Sequence, residues 1–552
     1  MARAERKAAA AESAKTGVMT HRQIMFVLFG LMAGMFLSAL DQSVVGTAMR
    51  TIADDLNGLS AQAWVTTAYL ITSTIATPIY GKLGDIFGRR YLFITAISIF
   101  IVGSVISGFA NSMYELAAFR AIQGVGAGGL FALALTILAD IVPPRDRAKY
   151  QGMFLAVFGT SSVLGPLIGG LLAGVDSFLG ITGWRWIFLM NLPIGLIALF
   201  LVISFLHIPH HESKSKRIDW WGVVTIIVGV VPILIVAEQG REWGWASAEA
   251  IASYVIGVVG IAAFIMIEKK MGEDALLPLH LFKSSTFTLT TLLGVIVGLG
   301  MFGGMISLPL VLQIVYGASP TEAGYLMIPM VMGLMVSSIV SGRITSKTGK
   351  YKIFMVLGTA MMGLSYVYLS TLVYTWQVWQ ISIGMVVMGL GLGQMMQTLT
   401  IASQNAVEAK DIGVATSSST FFRQMGGTLG VAVFLSILFN QLADKGAEIG
   451  AKIQAAIQAN PALLADPRNA AFTQGGDLGS MIQSDSSFLK TASPELANPI
   501  KQAFAESAGS VFVAAAIVVA VAFALSWFIK ELALRTKSGV QEKADAAAAS
   551  VH

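Results

Sequence analysis

Apolar runs close to the twenty-odd residues needed to cross roughly 30 Å of hydrocarbon recur along the whole chain. They fall at 24 to 49, 61 to 81, 91 to 110, 115 to 140, 149 to 175, 184 to 207, 217 to 238, 248 to 268, 285 to 308, 321 to 343, 351 to 372, 378 to 402, 411 to 440 and 506 to 531. So many long apolar segments are stable together only where lipid is the solvent and each helix satisfies its own backbone. Charged residues make up 12% of the chain, against about 25% in soluble domains. The fold class that follows is an all-α polytopic membrane protein of about fourteen spans.

Several chemistries are excluded at once. Cysteine is absent, so no disulfide framework, thiolate zinc site or cysteine nucleophile exists. The histidines His21, His207, His210, His211, His280 and His552 fall outside the apolar runs, which leaves carboxylates to carry any intramembrane proton chemistry. Residues 1 to 23 are Ala-rich and basic, and the run after them is too long for a signal peptide and contains Asp41; they read as a retained tail. With that tail in the cytoplasm, the short outer loops hold only Arg50, Arg185 and Arg241. Positive charge resists translocation, so both termini are expected inside a multi-pass cell-membrane protein. The net charge of +5 is spread over short loops, and no nucleic-acid surface is indicated.

The stretch GKLGDIFGRR at 81 to 90 packs Lys82, Asp85, Arg89 and Arg90 between two apolar runs and among Gly81, Gly84 and Gly88. It has an echo in GRITSKTGKYK at 342 to 352, where Gly342 and Gly349 repeat the spacing of Gly81 and Gly88. Arg343 and Lys350 stand where Lys82 and Arg89 do, and Ser346 stands where Asp85 does. The offset is eight spans. Two six-helix halves with an extra pair between them explain it, and parallel halves of this kind are a transporter architecture.

With these loops in view the chain resembles the major facilitator superfamily, and within it the fourteen-span drug:proton antiporter branch. Further stretches carry the resemblance: LDQSVVGTAM, WVTTAYL, FRAIQGVGAGG, GPLIGG, WRWIFLMNLPIG and FFRQMGGTLGVA. The division expected is a cytoplasmic tail at 1–23, a six-helix half at 24–207, two inserted helices at 217–268, a second half at 285–531 with an outer loop at 441–505, and a cytoplasmic tail at 532–552. The loop glycines permit a tight turn and close helix approach, and Asp85 is suited to the amino end of a helix. The resemblance implies a conformational latch made of Gly81, Asp85, Gly88, Arg89, Arg90, Gly342 and Gly349, with Asp85 docking near the start of span thirteen at about 411 to 415.

Asp41 and Arg120 sit at similar depths in spans one and four when counted at 1.5 Å per residue. An unpaired charge in hydrocarbon costs at least roughly 2.5–3.5 kcal/mol, so each needs a partner or a watery cavity and the two could pair; a permanent structural ion pair and a proton-coupling pair are both readings of that contact. The resemblance supports coupling. Arg423 lies near the middle of span thirteen, where it meets substrate, a counter-charge or helix carbonyls. Gly159, Gly165, Pro166, Gly169 and Gly170 in span five form a small-residue face with a proline, which in the resembling family marks exporters. Tyr69, Gln313, Gln394 and Gln397 are the polar candidates for a substrate cavity, and methionines such as Met301, Met330 and Met388 suit promiscuous apolar contact. Glu115 and Glu238 fall at span ends.

The run GVGAGG at 124 to 129 satisfies a dinucleotide-binding pattern, but it lies inside a span with no strand before it. No Walker pattern occurs, and no cofactor is expected; the energy is expected from an ion gradient, the proton gradient first, or from another subunit. The segment 441 to 505 is polar, with stretches such as AKIQAAIQAN, and reads either as short amphipathic helices or as a solvated linker. The leading function is proton-coupled export of lipophilic, often cationic compounds by alternating access. Export of a dedicated endogenous lipid or metabolite is the alternative, and a polytopic membrane enzyme is remote because no cluster of His, Asp or Ser marks a membrane face. No catalytic residue and no metal site are expected. The partners are a small lipophilic substrate, protons and the lipid bilayer, with room for an accessory protein.

Overall fold

The computed structural model describes residues 21–56, 58, 61–206, 217–473, 488–539 and 541–542. The ends of both expected tails, the histidines His207, His210, His211 and His552, and the middle of the 441–505 segment lie outside the described residues. The long helices are α1 (His21–Asp55), α2 (Gln62–Phe87), α3 (Arg89–Ser107), α4 (Met113–Ile141), α5 (Pro144–Ala173), α6 (Asn191–Phe205), α7 (Trp220–Trp243), α8 (Ala248–Met271), α9 (Ser285–Ile314), α10 (Ile328–Thr348), α11 (Lys352–Leu369), α12 (Val378–Asn405), α13 (Ile412–Asp444) and α14 (Pro494–Phe528). Short helices at Arg185–Leu189 and Pro320–Leu326 lead into α6 and α10.

Among the described residues, 13 helices are long and apolar enough to cross a membrane. The helix that makes the difference from the expected fourteen is α2. Its 26 residues reach about 39 Å at 1.5 Å per residue, so length is not the reason. Thr66, Thr67, Thr72, Ser73, Thr74 and Thr77 dilute its apolarity. Three of these hydroxyls are returned to the helix itself, Thr72 to the Ala68 carbonyl at 2.8 Å, Ser73 to that of Leu70 at 3.4 Å and Thr77 to that of Ser73 at 2.9 Å. A helix that packs on protein on several sides needs no apolar coat.

The two halves repeat one packing plan. In the first, α1 packs with α5 and α6, α4 with α2 and α3, and α3 with α6. In the second, α9 packs with α13 and α14, α12 with α10 and α11, and α11 with α14. Every pairing recurs at an offset of eight. Glycine makes the closest of them: a Cβ on Gly124 would fall 2.5 Å from the Tyr69 carbonyl oxygen and one on Gly126 would fall 2.6 Å from the Phe100 nitrogen. The GVGAGG run therefore serves helix packing of α4 on α2 and α3. Gly389 and Gly393 bring α12 onto α10 in the same way.

The halves meet along two seams, α2 with α13 and α5 with α10. The inserted pair α7–α8 packs on itself and rests on α2 and α13. Its apolar contact joins Ile226, Val230 and Leu234 to Ile71, Ile75 and Phe421. Within the 441–505 segment, a helix at Gly446–Ala459 packs against α14 and buries Ile449 and Ile453. Asn469 then ties the following turns together, bonding the Leu463 carbonyl and the Ser493 side chain at 2.9 Å each.

Candidate functional site

Asp41 is 1% exposed and Arg120 2%, and the two form an ion pair between α1 and α4. Gln123, one turn beyond Arg120, donates from Nε2 to Asp41 Oδ1 at 2.9 Å and accepts from Arg120 at 2.8 Å. Asn191, at the first turn of α6, donates to the same Asp41 oxygen at 2.8 Å and to Ser104 Oγ of α3 at 2.9 Å. Tyr69 of α2 lies under the guanidinium, with 4.0 Å from the Arg120 carbon to the ring centre, and its hydroxyl bonds Ser38 at 2.9 Å. Five helices thus close around one carboxylate. A buried pair of this kind is tolerated because both Asp41 oxygens are occupied, although among the described residues Arg120 Nε and Asn191 Oδ1 are left without a partner.

A second charge cluster lies at the α2–α3 turn. Gly88, at φ +93°, makes the turn between α2 and α3, a conformation that costs glycine little. Arg89 pairs with Asp85 at 2.7 Å, pairs with Asp140 at the end of α4, and donates to the Thr136 carbonyl at 2.9 Å. Arg90 donates to the Ile203 carbonyl in the last turn of α6 at 2.8 Å. Asp85 itself faces the amino end of α13: a Cβ on Gly413 would fall 2.5 Å from Asp85 Oδ2. One turn away Gly81 abuts Ser417.

The second copy crosses the other seam. Gly342 of α10 packs on the Ala148 carbonyl of α5, and Gly349, at φ +75°, ends α10. Ser346, which replaces the acid, donates to Asp146 of α5 at 3.3 Å. Arg145 donates to the carbonyls of Ser346 and Lys347 at 2.9 and 3.0 Å. The acid has in effect changed sides: where α2 brings Asp85 to α13, the amino end of α5 carries its own Asp146 to α10.

The span-five residues divide between two neighbours. Gly165 and Gly169 pack on Ser43 and Val44 of α1, while Gly159, Pro166 and Gly170 face Val331, Gly324 and Thr321 across the seam. The polar candidates go separate ways. Tyr69 turns into the Asp41 network, Gln394 bonds Met361 Sδ and the Leu390 carbonyl within its own half, and Gln313 is half-buried near the end of α9. Gln397 accepts from Ser338 at 2.9 Å and donates across the seam to the Ala148 carbonyl at 2.7 Å. Met301, Met330 and Met388 are buried in the core of the second half. Glu115 caps α4, bonding the Asn111 amide at 2.9 Å, and Glu238 lines a small cavity with Thr67, Leu234 and Thr428. Arg423 is 9% exposed.

The family model described as Major Facilitator Superfamily matches residues 31–431. The chain belongs to that superfamily. Multidrug transporter protein MdtP of Bacillus subtilis (strain 168) is 35% identical over 97% of this chain and 98% of its own length. Multidrug resistance protein 3 of the same organism is 35% identical over 76% of this chain and 80% of its own length. Among solved structures, the proton:xylose symporter XylE bound to 6-bromo-6-deoxy-D-glucose shares the fold with a TM-score of 0.57 at 15% identity, covering 95% of this chain and 99% of that one. The protein is therefore a major facilitator transporter with multidrug-transporter relatives, and it spans the membrane many times.

In this major facilitator chain, sequence reasoning names the pair but misses its shell. Gln123, Asn191 and Ser104 complete the Asp41 network, and Asp140 pairs with Arg89 beside the α2–α3 turn. Gln123 carries a signal, since it is three residues from Arg120 on one helix face. Asn191 carries none, because the helix breaks between Leu189 and Asn191.

Proposed function

We propose that this transporter exports lipophilic compounds from the cell in exchange for protons, by rocking of the two halves, with both termini in the cytoplasm. The observation that carries the reading is the enclosure of Asp41 by Arg120, Gln123 and Asn191. A proton on Asp41 cancels its attraction for Arg120 and removes an acceptor site. Breaking a buried pair costs about 3–5 kcal/mol, enough to shift a two-state equilibrium by orders of magnitude. The network spans α1, α2, α3, α4 and α6, so its rearrangement reaches the half as a body.

The seams supply the moving parts. Glycine contacts and a few bonds, such as Thr77 to Gln424 at 3.3 Å and Gln397 to the Ala148 carbonyl, hold the halves together. Asp85 at the amino end of α13 and Arg145 on the last carbonyls of α10 close the cytoplasmic ends through helix-terminus electrostatics. The multidrug names of the relatives support a lipophilic substrate range, and the family resemblance supports proton coupling. The resemblance implies that the substrates are often cationic.

The test is efflux of a fluorescent lipophilic dye from proteoliposomes under an imposed proton gradient, wild type against Asp41→Asn. Gradient-driven efflux lost in the variant with dye binding retained is the expected outcome. Efflux indifferent to the gradient in the folded wild-type protein overturns the proposal.

A further inference from the structure

The buried arginines of the helix bundle are compensated with one exception. Arg89 has Asp85 and Asp140, Arg120 has Asp41, and Arg147 spends its guanidinium on Gln404 and on the carbonyls of Ala139 and Val142. Arg423 is also buried, though at 9% exposure the least so of the four, and among the described residues its guanidinium has no acidic partner, hydrogen bond or aromatic ring. It stands about 16 Å along α13 at 1.5 Å per residue, near the middle of the bilayer. A charge there costs at least roughly 2.5–3.5 kcal/mol and persists where a counter-charge visits it.

The neighbouring helix leaves room for that visitor. Gly298 of α9 packs directly on the Arg423 backbone, which fixes the arginine against α9. One turn away, Gly294 is buried, yet a Cβ built on it would meet nothing nearer than the Arg423 Cβ at 4.0 Å. One further turn along the same face, Thr291 is 4% exposed and its hydroxyl has no hydrogen-bond partner. The root of the Arg423 side chain, an unmatched hydroxyl and open space therefore lie along one face of α9 where it packs on α13. Asp41 does not serve as counter-ion, because its oxygens are already taken by Arg120, Gln123 and Asn191.

We infer that Arg423, Thr291 and the space at Gly294 form a recognition site for the acidic head group of a lipophilic compound: a carboxylate, sulfonate, phosphate or phenolate on an apolar body. Guanidinium geometry suits these groups, since two parallel N–H bonds meet two oxygens. The inference rests on the export reading and narrows it: transported compounds include amphiphilic acids as well as any lipophilic cations. An anionic lipid head group shares this chemistry, and the experiment separates the two sources.

The probes are anilinonaphthalene sulfonate and the neutral phenyl naphthylamine, which differ by the sulfonate. Binding to the purified chain is measured in uncharged detergent, and export of each probe is measured in proteoliposomes. Arg423→Gln is expected to weaken sulfonate binding at least about tenfold while the neutral probe changes less than about twofold, with Arg423→Lys recovering part of the loss. Gly294→Leu, which fills the space and leaves the charge, is expected to exclude the sulfonate as well. Equal loss of both probes in Arg423→Gln, or no loss of either, overturns the site. Displacement of the sulfonate by phosphatidylglycerol, without export of the sulfonate, overturns the substrate assignment in favour of a lipid head group. Failure of the wild type to export either probe while Arg423→Gln still loses sulfonate binding overturns the export reading and leaves the anion site standing.

Discussion

Gly81 of α2 and Ser417 of α13 touch so closely that a Cβ on the glycine would fall 2.5 Å from the serine Cβ. The α2–α3 loop is thus not only a cluster of charges: its first glycine is a point of close packing between α2 and α13. Gly81→Ala is expected to wedge the seam open. Overpacking of this sort costs about 1–3 kcal/mol, a shift of roughly 5- to 150-fold in the closed-to-open ratio. The chain has no cysteine, so one introduced at Ala415, which is buried, reports opening without background. Its rate of reaction with a water-soluble maleimide should rise by that factor, and an unchanged rate would refute the wedge.

The two seams should respond differently to charge. Asp85→Asn keeps the side chain's size but removes its charge from the amino end of α13, where such a charge contributes about 0.3–1 kcal/mol and up to about 2 when partly buried. The same cysteine probe should react several-fold faster, and more from the cytoplasmic side. Ser346→Asp restores the acid that the repeat expects, but it faces Asp146. Like charges at that distance repel, so this substitution is expected to loosen the α5–α10 seam and not to strengthen it. A tighter seam in Ser346→Asp would show that Asp146 is not the partner.

Much of this arrangement is legible in the sequence, for physical reasons that differ from residue to residue. Depth counting brings Asp41 and Arg120 together because a membrane fixes height, and the repeat of Gly81 and Gly342 is read because spacing survives where residue types change. Direction around a helix is harder. Gln394 and Gln397 are three residues apart in α12, yet one turns to Met361 in its own half and the other crosses to Ala148. Asn191 follows a break in the helix, so no periodicity links it to Asp41. The shift of the acid from Ser346 to Asp146 involves two segments about two hundred positions apart, and only the fold puts them face to face.

The Asp41 network should behave as a unit. Asp41→Asn leaves Arg120 buried and uncompensated, a loss of about 3–5 kcal/mol, and Arg120→Gln leaves the carboxylate with Gln123 and Asn191 alone. The double variant removes both charges and should be less destabilised than the sum of the two, with a coupling of about 0.5–3 kcal/mol. Thermal unfolding of the four proteins in one detergent measures it. Additive losses would mean that the two side chains do not depend on each other.

The segment after α14 should act as a clasp on the second half. Glu531 accepts from the amides of Tyr351 at 2.8 Å and Lys352 at 3.1 Å, satisfying the first turn of α11. Arg535 donates to the carbonyls of Gln404 at 3.0 Å, Asn405 at 3.3 Å and Val407, at the end of α12. A cap of the first kind contributes about 0.5–2 kcal/mol, and a cation at a helix carboxyl end adds about 0.3–1 kcal/mol. Glu531→Ala should speed hydrogen exchange at the amides of Tyr351 and Lys352 about 2- to 30-fold, while Arg535→Ala should leave those two amides unchanged and lower the unfolding temperature instead. The two helix ends are held by separate residues, so the effects should divide between them; equal acceleration at Tyr351 and Lys352 in both variants would mean that the segment releases as one piece.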